Sequence, residues 1–468
     1  MSFETVISVI TDWVYPALLV LFFFGFTIFF HELGHFLMAR RRGMKIERFS
    51  VGFGSKIWGY KKKGVEYQVG WIPFGGYVAL PQMSPMEAIE GSDGSSDGGL
   101  PRATPTSKIL VALAGPAMNV LLAFVLACII WQAGKPSNPS VIGWVEAGSL
   151  EEQKGIQPGD RIVQVNDQKV QSWGQLVEAV AFSLEPDVNV IVERNGKRLE
   201  FNLETKLNEE FHVKTLDGLY PRVRPYAREV LPDSAAEKAG MLPGDRFVSV
   251  SGVAIYSSDQ LRELVGKRAD EPTEVKMFRD GKTVVLTVVP RVDPEEKAAR
   301  MGVKLGDEME IIRPGPTPGE QFEEVFASMW HMAKALRHSK ETGVGVHSVS
   351  GPVGIFAAWW YGIVSNGVRQ GLVIAVLLNI NLAIINLFPL PILDGGHIVF
   401  ALVEGAMRKP LNARIVQTVS TAFAVLLISF MLYITFFDVQ RFFGRSRVTD
   451  KPPANDVIVP AAKPASQP

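Results

Sequence analysis

The chemistry-bearing residues of this chain begin at His31-Glu32-Leu33-Gly34-His35, the end of an almost unbroken apolar run. On a helix, residues four apart differ by about 400° of rotation, so both histidines emerge from one face, one turn apart. Imidazoles so spaced suit a tetrahedral zinc ion, and the glutamate beside the first can take a proton from water activated there. Ionisable side chains inside a membrane cost at least about 2.5 kcal/mol each and mark function. The structural alternative requires the helix to stop at Phe30 and leave the histidines in water. Against it stands the apolar run Phe36-Leu37-Met38-Ala39, which follows at once and precedes Arg40. Catalytic zinc takes three protein donors and keeps one position open. Asp394, in "NLFPLPILDGGH", is the most conspicuous acid in apolar surroundings, with His397 and Glu404 as runners-up beyond the Gly-Gly break. His331, His338 and His347 lack ligand spacing and read as ordinary surface histidines.

Four segments are long and apolar enough to position such a site in a bilayer, which takes about 20 residues each. The first runs from Val14 into the histidine motif, and the others are 109–130, 372–393 and 416–437. A shorter stretch, "GIFAAWWYGIV", suits the interface. The region before the first span carries Glu4 and Asp12 but no basic residue, the wrong charge for a cleaved signal peptide, so this helix is expected to be retained. Residues 40–108 carry eleven Lys and Arg and residues 1–39 carry none, which places that loop in the cytoplasm. Both termini and the long insert after the second span are then expected outside, with His35 and Asp394 near the cytoplasmic face. The charges around the last hairpin fall on both sides and add nothing. With 48 basic and 48 acidic residues the net charge is zero, so nothing global points to nucleic acid. Cys128 is the single cysteine, which excludes an intramolecular disulfide.

The insert contains a repeat. "KGIQPGDRIVQVNDQKV" at 154–170 returns as "AGMLPGDRFVSVSGVAI" at 239–255, and "RNG" at 194 returns as "RDG" at 279, both 85 positions on. Each copy joins a Gly-x-x-Pro-Gly-Asp turn to an alternating strand, a polar helix and a hairpin turn, and so resembles the PDZ family, small β-rich domains that bind extended peptide at a sheet edge. Further along, Phe322, Val325, Phe326, Met329, Met332 and Leu336 mark one face of an amphipathic helix. Residues 48–80 alternate around a Lys-Lys-Lys-Gly turn and read as a β-hairpin, expected to dip toward the histidines and pair with unwound substrate.

"HELGH", "AGPAMN" at 114–119, "SGPVGI" at 350–355 and "NLFPLPILDGG" at 386–396 resemble the site-2 protease family of intramembrane zinc metalloproteases. The resemblance implies that His31, His35 and Asp394 bind Zn2+, that Glu32 activates water, and that Asn386 and Asn381 help hold the substrate chain. It implies a polytopic α-helical membrane protein of the bacterial inner membrane: four transmembrane helices, a membrane-associated β-hairpin and two small β-rich PDZ-like domains. The expected divisions are 1–133 with the first two spans, 137–208 and 220–292 for the PDZ-like copies, 317–342 for the amphipathic helix, 350–440 for the interfacial segment and last two spans, and 450–468 for a disordered tail. The implied substrate is a single-span membrane protein such as an anti-sigma factor, or a signal-peptide remnant, cut after a prior trimming step, with the outer copies as a size filter. The competing reading is a membrane-anchored PDZ adaptor whose metal site is structural or inactive. Glu32, not itself a ligand, would be superfluous in a closed structural site.

Overall fold

A computed structural model describes residues 13–83, 103–208, 213–292, 298–345 and 348–448. Glu4, Asp12, His347 and the 450–468 tail lie outside the described residues. Among the described residues, four helices are long and apolar enough to cross a membrane. The chain divides into two units, Met1–Arg222 with Glu308–Phe436, and Val223–Asp307 with Phe437–Pro468.

Helix α1 (Tyr15–Arg41) has a proline in its first turn, where a missing N–H costs nothing, and stops before Gly43 at φ 69°. Strands β1 (Arg48–Lys62) and β2 (Val65–Ala79) follow as an antiparallel hairpin. Lys63 and Gly64 close it with positive φ, the conformation of a tight hairpin turn. The register doubles back on itself, so residues 48–51 face both 76–79 and 66–69. Helix α2 (Pro105–Ala133) begins under a Thr104 cap, whose hydroxyl accepts from Ser107 N–H at 3.2 Å, and ends at Gly134. α1, α2 and a later helix bury one apolar cluster that includes Val20, Phe23, Leu126, Ile130, Trp359 and Ile380.

Strand β3 (Lys135–Ser137) opens the insert. Its first repeat holds β4 (Arg161–Val165), α3 (Trp173–Ala181), β5 (Asp187–Arg194) and β6 (Lys197–Glu204), with β5 between β4 and β6. The second holds β7 (Arg246–Val250), α4 (Ser258–Gly266), β8 (Thr273–Arg279) and β9 (Lys282–Val288), with β8 between β7 and β9. Each repeat has its own apolar core. The duplicated aspartate and arginine form one device in both. Arg194 donates to the two Asp160 carboxylate oxygens at 2.6 and 2.7 Å and to Gly155 O at 2.7 Å, while Asp160 accepts the Gln157 N–H. Arg279 bonds Asp245 at 2.6 Å twice and Gly240 O at 2.9 Å, with Leu242 N–H on the same carboxylate. The ion pair ties the turn before one strand to the end of its neighbour. Asp160 is 1% exposed, so Asp160→Ala leaves an arginine without its anion and is expected to destabilise the first repeat by about 3 kcal/mol. Faster protease cleavage confined to residues 137–208 would report this loss, and unchanged protection would refute it.

Strand β10 (Glu310–Ile312) pairs with β3 and closes the insert beside its own beginning. Helix α5 (Pro318–Arg337) starts in a capping box, and bonds from the Thr317 N–H and hydroxyl hold the Glu320 carboxyl below its ordinary pKa. Phe322, Val325 and Met329 join the membrane-helix cluster. On the same helix, Ser328 and His331 bond Glu178 of α3 at 2.6 and 3.3 Å, so His331 is engaged rather than a plain surface residue.

Helix α6 (Pro352–Asn386) absorbs both the expected interfacial stretch and most of the third span, with a break at Gly367, φ 69°. The expected span 372–393 is corrected at its end: the helix stops at Asn386, and α7 (Asp394–Met407) starts anew. Pro389 and Pro391 explain the stop, because each lacks an N–H and disfavours helical geometry in the residue before it. Asp394 therefore opens a short helix instead of ending a long one. Helix α8 (Ala413–Val448) follows and is exposed along most of its apolar length, as a lipid-facing helix would be.

Candidate metal centre

His31 and His35 lie in the last turns of α1, buried and facing α2. Their Nε2 atoms are 3.1 Å apart. Asp394, from the first turn of α7, brings Oδ2 to 3.2 Å from His31 Nε2 and Oδ1 to 3.4 Å from His35 Nε2. Among the described residues these three are the cluster whose possible ligand atoms all lie within 4.8 Å of one another.

Glycines make this convergence possible. A Cβ on Gly34 would sit 2.2 Å from Ala114 O, so α1 and α2 touch backbone to backbone. A Cβ on Gly115 would sit 2.3 Å from His35 Nε2 and 2.9 Å from His31 Cε1. In the "LDGG" turn, added Cβ atoms would lie 2.3 Å from Leu387 O and 2.1 Å from Leu390 O. Only bare backbone lets the start of α7 fold onto the proline loop and carry Asp394 inward.

His35 Nδ1 lies 2.8 Å from Val111 O, and a carbonyl can only accept, so the ring proton is on Nδ1 and the Nε2 lone pair points at its two neighbours. Asp394 Oδ2 is buried without a hydrogen-bond partner despite its approach to His31, a proximity without bonding geometry. Two inward imidazole nitrogens and an orphaned carboxylate oxygen are a donor set that fits zinc. Glu32 is buried beside them, and a Cβ on Gly76 of the hairpin would lie 3.0 Å from Glu32 Cγ. The hairpin thus borders the glutamate.

The runners-up fall elsewhere. Glu404 pairs with Lys108 at 2.8 Å, tying α7 to α2, and His397 is buried on α7 outside the donor cluster. Asn386 ends α6 half-buried, and Asn381 has a buried Oδ1 without a partner. Among the described residues no hydrogen bond or ion pair joins either asparagine to the three donors. Among the described residues two other asparagines are fully buried: Asn119, 3.2 Å from His31, and Asn379, which bonds Thr27 at 2.9 Å one turn before His31. Asn119 closes the "AGPAMN" motif, four residues after Gly115, and that spacing was the signal that could have located it.

Residues 19–430 match the profile of Peptidase family M50. The chain belongs to this peptidase family. The M50 profile spans the histidine motif, the insert and Asp394 together. A Xylella fastidiosa protein named "Putative zinc metalloprotease" is 31% identical, over 84% of this chain and 91% of its own. The regulator of sigma-E protease RseP of Escherichia coli is 29% identical, covering 89% and 96%, and the regulator of sigma E protease of Haemophilus influenzae is 28% identical, covering 88% and 95%. A solved PDZ domain from Listeria monocytogenes aligns with 17% of this chain and 85% of its own, at 17% identity and a TM-score of 0.16. This M50 peptidase is a site-2-type zinc metalloprotease with several membrane-spanning helices, and zinc is its cofactor.

Proposed function

We propose that His31, His35 and Asp394 hold the zinc, that Glu32 is the general base, and that the enzyme cuts single-span proteins of the bacterial inner membrane within or beside their transmembrane segments. The observation that carries this reading is the meeting of two inward imidazole nitrogens and an orphaned carboxylate oxygen next to a buried glutamate. When bound, zinc supplies Lewis acidity toward water and the scissile carbonyl. Glu32 takes the proton of the attacking water on its carboxylate and returns it to the amide nitrogen as the C–N bond breaks. The packed walls of α1, α2 and α7 exclude bulk water and hold the donors in place.

A transmembrane helix hides its peptide bonds in its own hydrogen bonds, so the substrate must unwind before it is cut. The hairpin segment 76–79, which borders Glu32, offers a strand edge for the unwound chain. Asn386 and Asn381 are assigned to holding that chain from the other side; the unpartnered amide oxygen of Asn381 is a free acceptor. Proline at Val78 removes one ladder donor, and Val78→Ala loses similar packing while keeping the N–H. The proline variant is expected to cleave about fivefold more slowly than the alanine variant at equal zinc, the worth of one hydrogen bond of about 1 kcal/mol. Equal rates in a paired assay would remove the hairpin from substrate binding.

The repeats at 137–208 and 220–292 are assigned as PDZ-like domains outside the membrane, on the same side as both termini. There they act as a size filter, so that an anti-sigma factor or a signal-peptide remnant is cut only after its outer domain has been trimmed. Because β3 and β10 lie side by side, residues 138–309 can be replaced by a short glycine-serine link without pulling α2 away from α5. In liposomes the intact enzyme is expected to cut only a trimmed single-span substrate, and the excised enzyme both trimmed and untrimmed forms. Refusal of the untrimmed form by the excised enzyme would refute the filter; failure of the intact enzyme on the trimmed form would refute the proposed function.

A further inference from the structure

Asn119 is fully buried on α2, with Nδ2 3.2 Å from His31 Nδ1 and an Oδ1 that is buried without a partner. Eight residues earlier on the same helix face, Val111 O fixes the ring proton of His35, and Gly115 between them leaves room for both rings. We propose that Asn119 is a positioning residue for His31: its amide oxygen accepts the Nδ1 proton and so selects the tautomer whose Nε2 faces His35 and Asp394. This rests on the assignment of His31 as a zinc donor.

The chemistry allows two arrangements. With Nδ2 donating to a bare Nδ1, the proton of neutral His31 must sit on Nε2, 3.1 Å from His35 Nε2, where it blocks a metal. The two ends of an amide are nearly isosteric. Turning the group over keeps the 3.2 Å contact, carries Nδ1–H to Oδ1 and frees the Nε2 lone pair. α2 then orients both imidazoles, His35 through a backbone carbonyl that substitution cannot remove and His31 through a side chain that it can.

The test is a zinc competition titration of the purified full-length protein against a chromophoric chelator. Asn119→Leu, close in volume but unable to accept a proton, is expected to weaken zinc binding about 10- to 100-fold. Asn119→Asp, which can only accept, is expected to hold zinc at least as tightly as the parent. Unchanged affinity in the leucine variant, or equal weakening in both, overturns the proposal in favour of plain packing. A second readout is the visible absorption of the cobalt(II)-loaded proteins. It should shift in Asn119→Asp, whose anionic acceptor makes His31 a stronger donor, and an unshifted spectrum overturns the proposal even if the leucine variant does not fold. His31→Leu separates the two levels of the argument. Retention of zinc by that variant would refute the ligand assignment, whereas loss of zinc there with full affinity in Asn119→Leu would refute the positioning role alone.

Discussion

Glu32→Gln is expected to keep one zinc per chain and to lower peptide hydrolysis about 10²- to 10⁴-fold, the range removed with a general base. Glutamine has the same shape, so the contact with Gly76 and the position of α1 survive. None of the three proposed zinc donors is altered, since that cluster consists of His31, His35 and Asp394. What disappears is a carboxylate able to take the proton of the attacking water. The measurement is single-turnover cleavage of a trimmed single-span substrate by both proteins, with zinc determined on the same preparations. A full rate in the glutamine variant would take the base role from Glu32. Loss of zinc would instead make Glu32 a ligand and leave the base unidentified. The adaptor reading predicts a third result, with zinc bound in both proteins and cleavage in neither.

The part of the site that depends on local geometry was legible in the chain. Helical spacing put His31 and His35 on one face, and the 85-residue period revealed the paired turns and strands of the insert, though the ion pairs Asp160–Arg194 and Asp245–Arg279 that its repeated residues form came only with the structure. Positions set by contact between distant segments were less so. Hydropathy ran 372–393 together as one span because Leu, Phe and Ile continue through the proline loop, while the backbone breaks there and restarts at Asp394. Asn381 and Asn386 stood out by lying in a motif-bearing span. Asn379, two residues away, is the one drawn to Thr27, because a helix turns by about 200° over two residues and sends neighbours to opposite sides. Asn119 lies beside His31 from 88 residues away and Val111 O bonds His35 from 76, and short of the four-residue step from Gly115 to Asn119 nothing in the chain pointed to either. The glycines were visible as letters, but their function lies in what would strike a Cβ.

Gly115→Ala tests that last point and carries a larger expected effect on zinc than either change at Asn119. A glycine inside a helix costs about 1 kcal/mol relative to alanine, so by propensity alone the substitution should stabilise α2. Here the new carbon would lie 2.3 Å from His35 Nε2, 2.5 Å from its Cε1 and 2.9 Å from His31 Cε1, all far inside van der Waals contact. The helices have no slack to absorb it, because Gly34 already rests against the Ala114 backbone one residue away. The His35 ring must therefore swing, which breaks its bond to Val111 O and moves Nε2 away from the other donors. Zinc affinity is expected to fall at least about 100-fold, more than for loss of an outer hydrogen bond, because a proposed ligand itself is displaced. Gly25→Ala on α1, where nothing lies within 4 Å of the added carbon, is the matched control and should leave zinc unchanged. Metal analysis after dialysis against a weak chelator separates the two variants. If Gly115→Ala kept its zinc, α1 and α2 would have to part by about an ångström at no cost, and close helix contact could no longer explain how the two histidines meet Asp394.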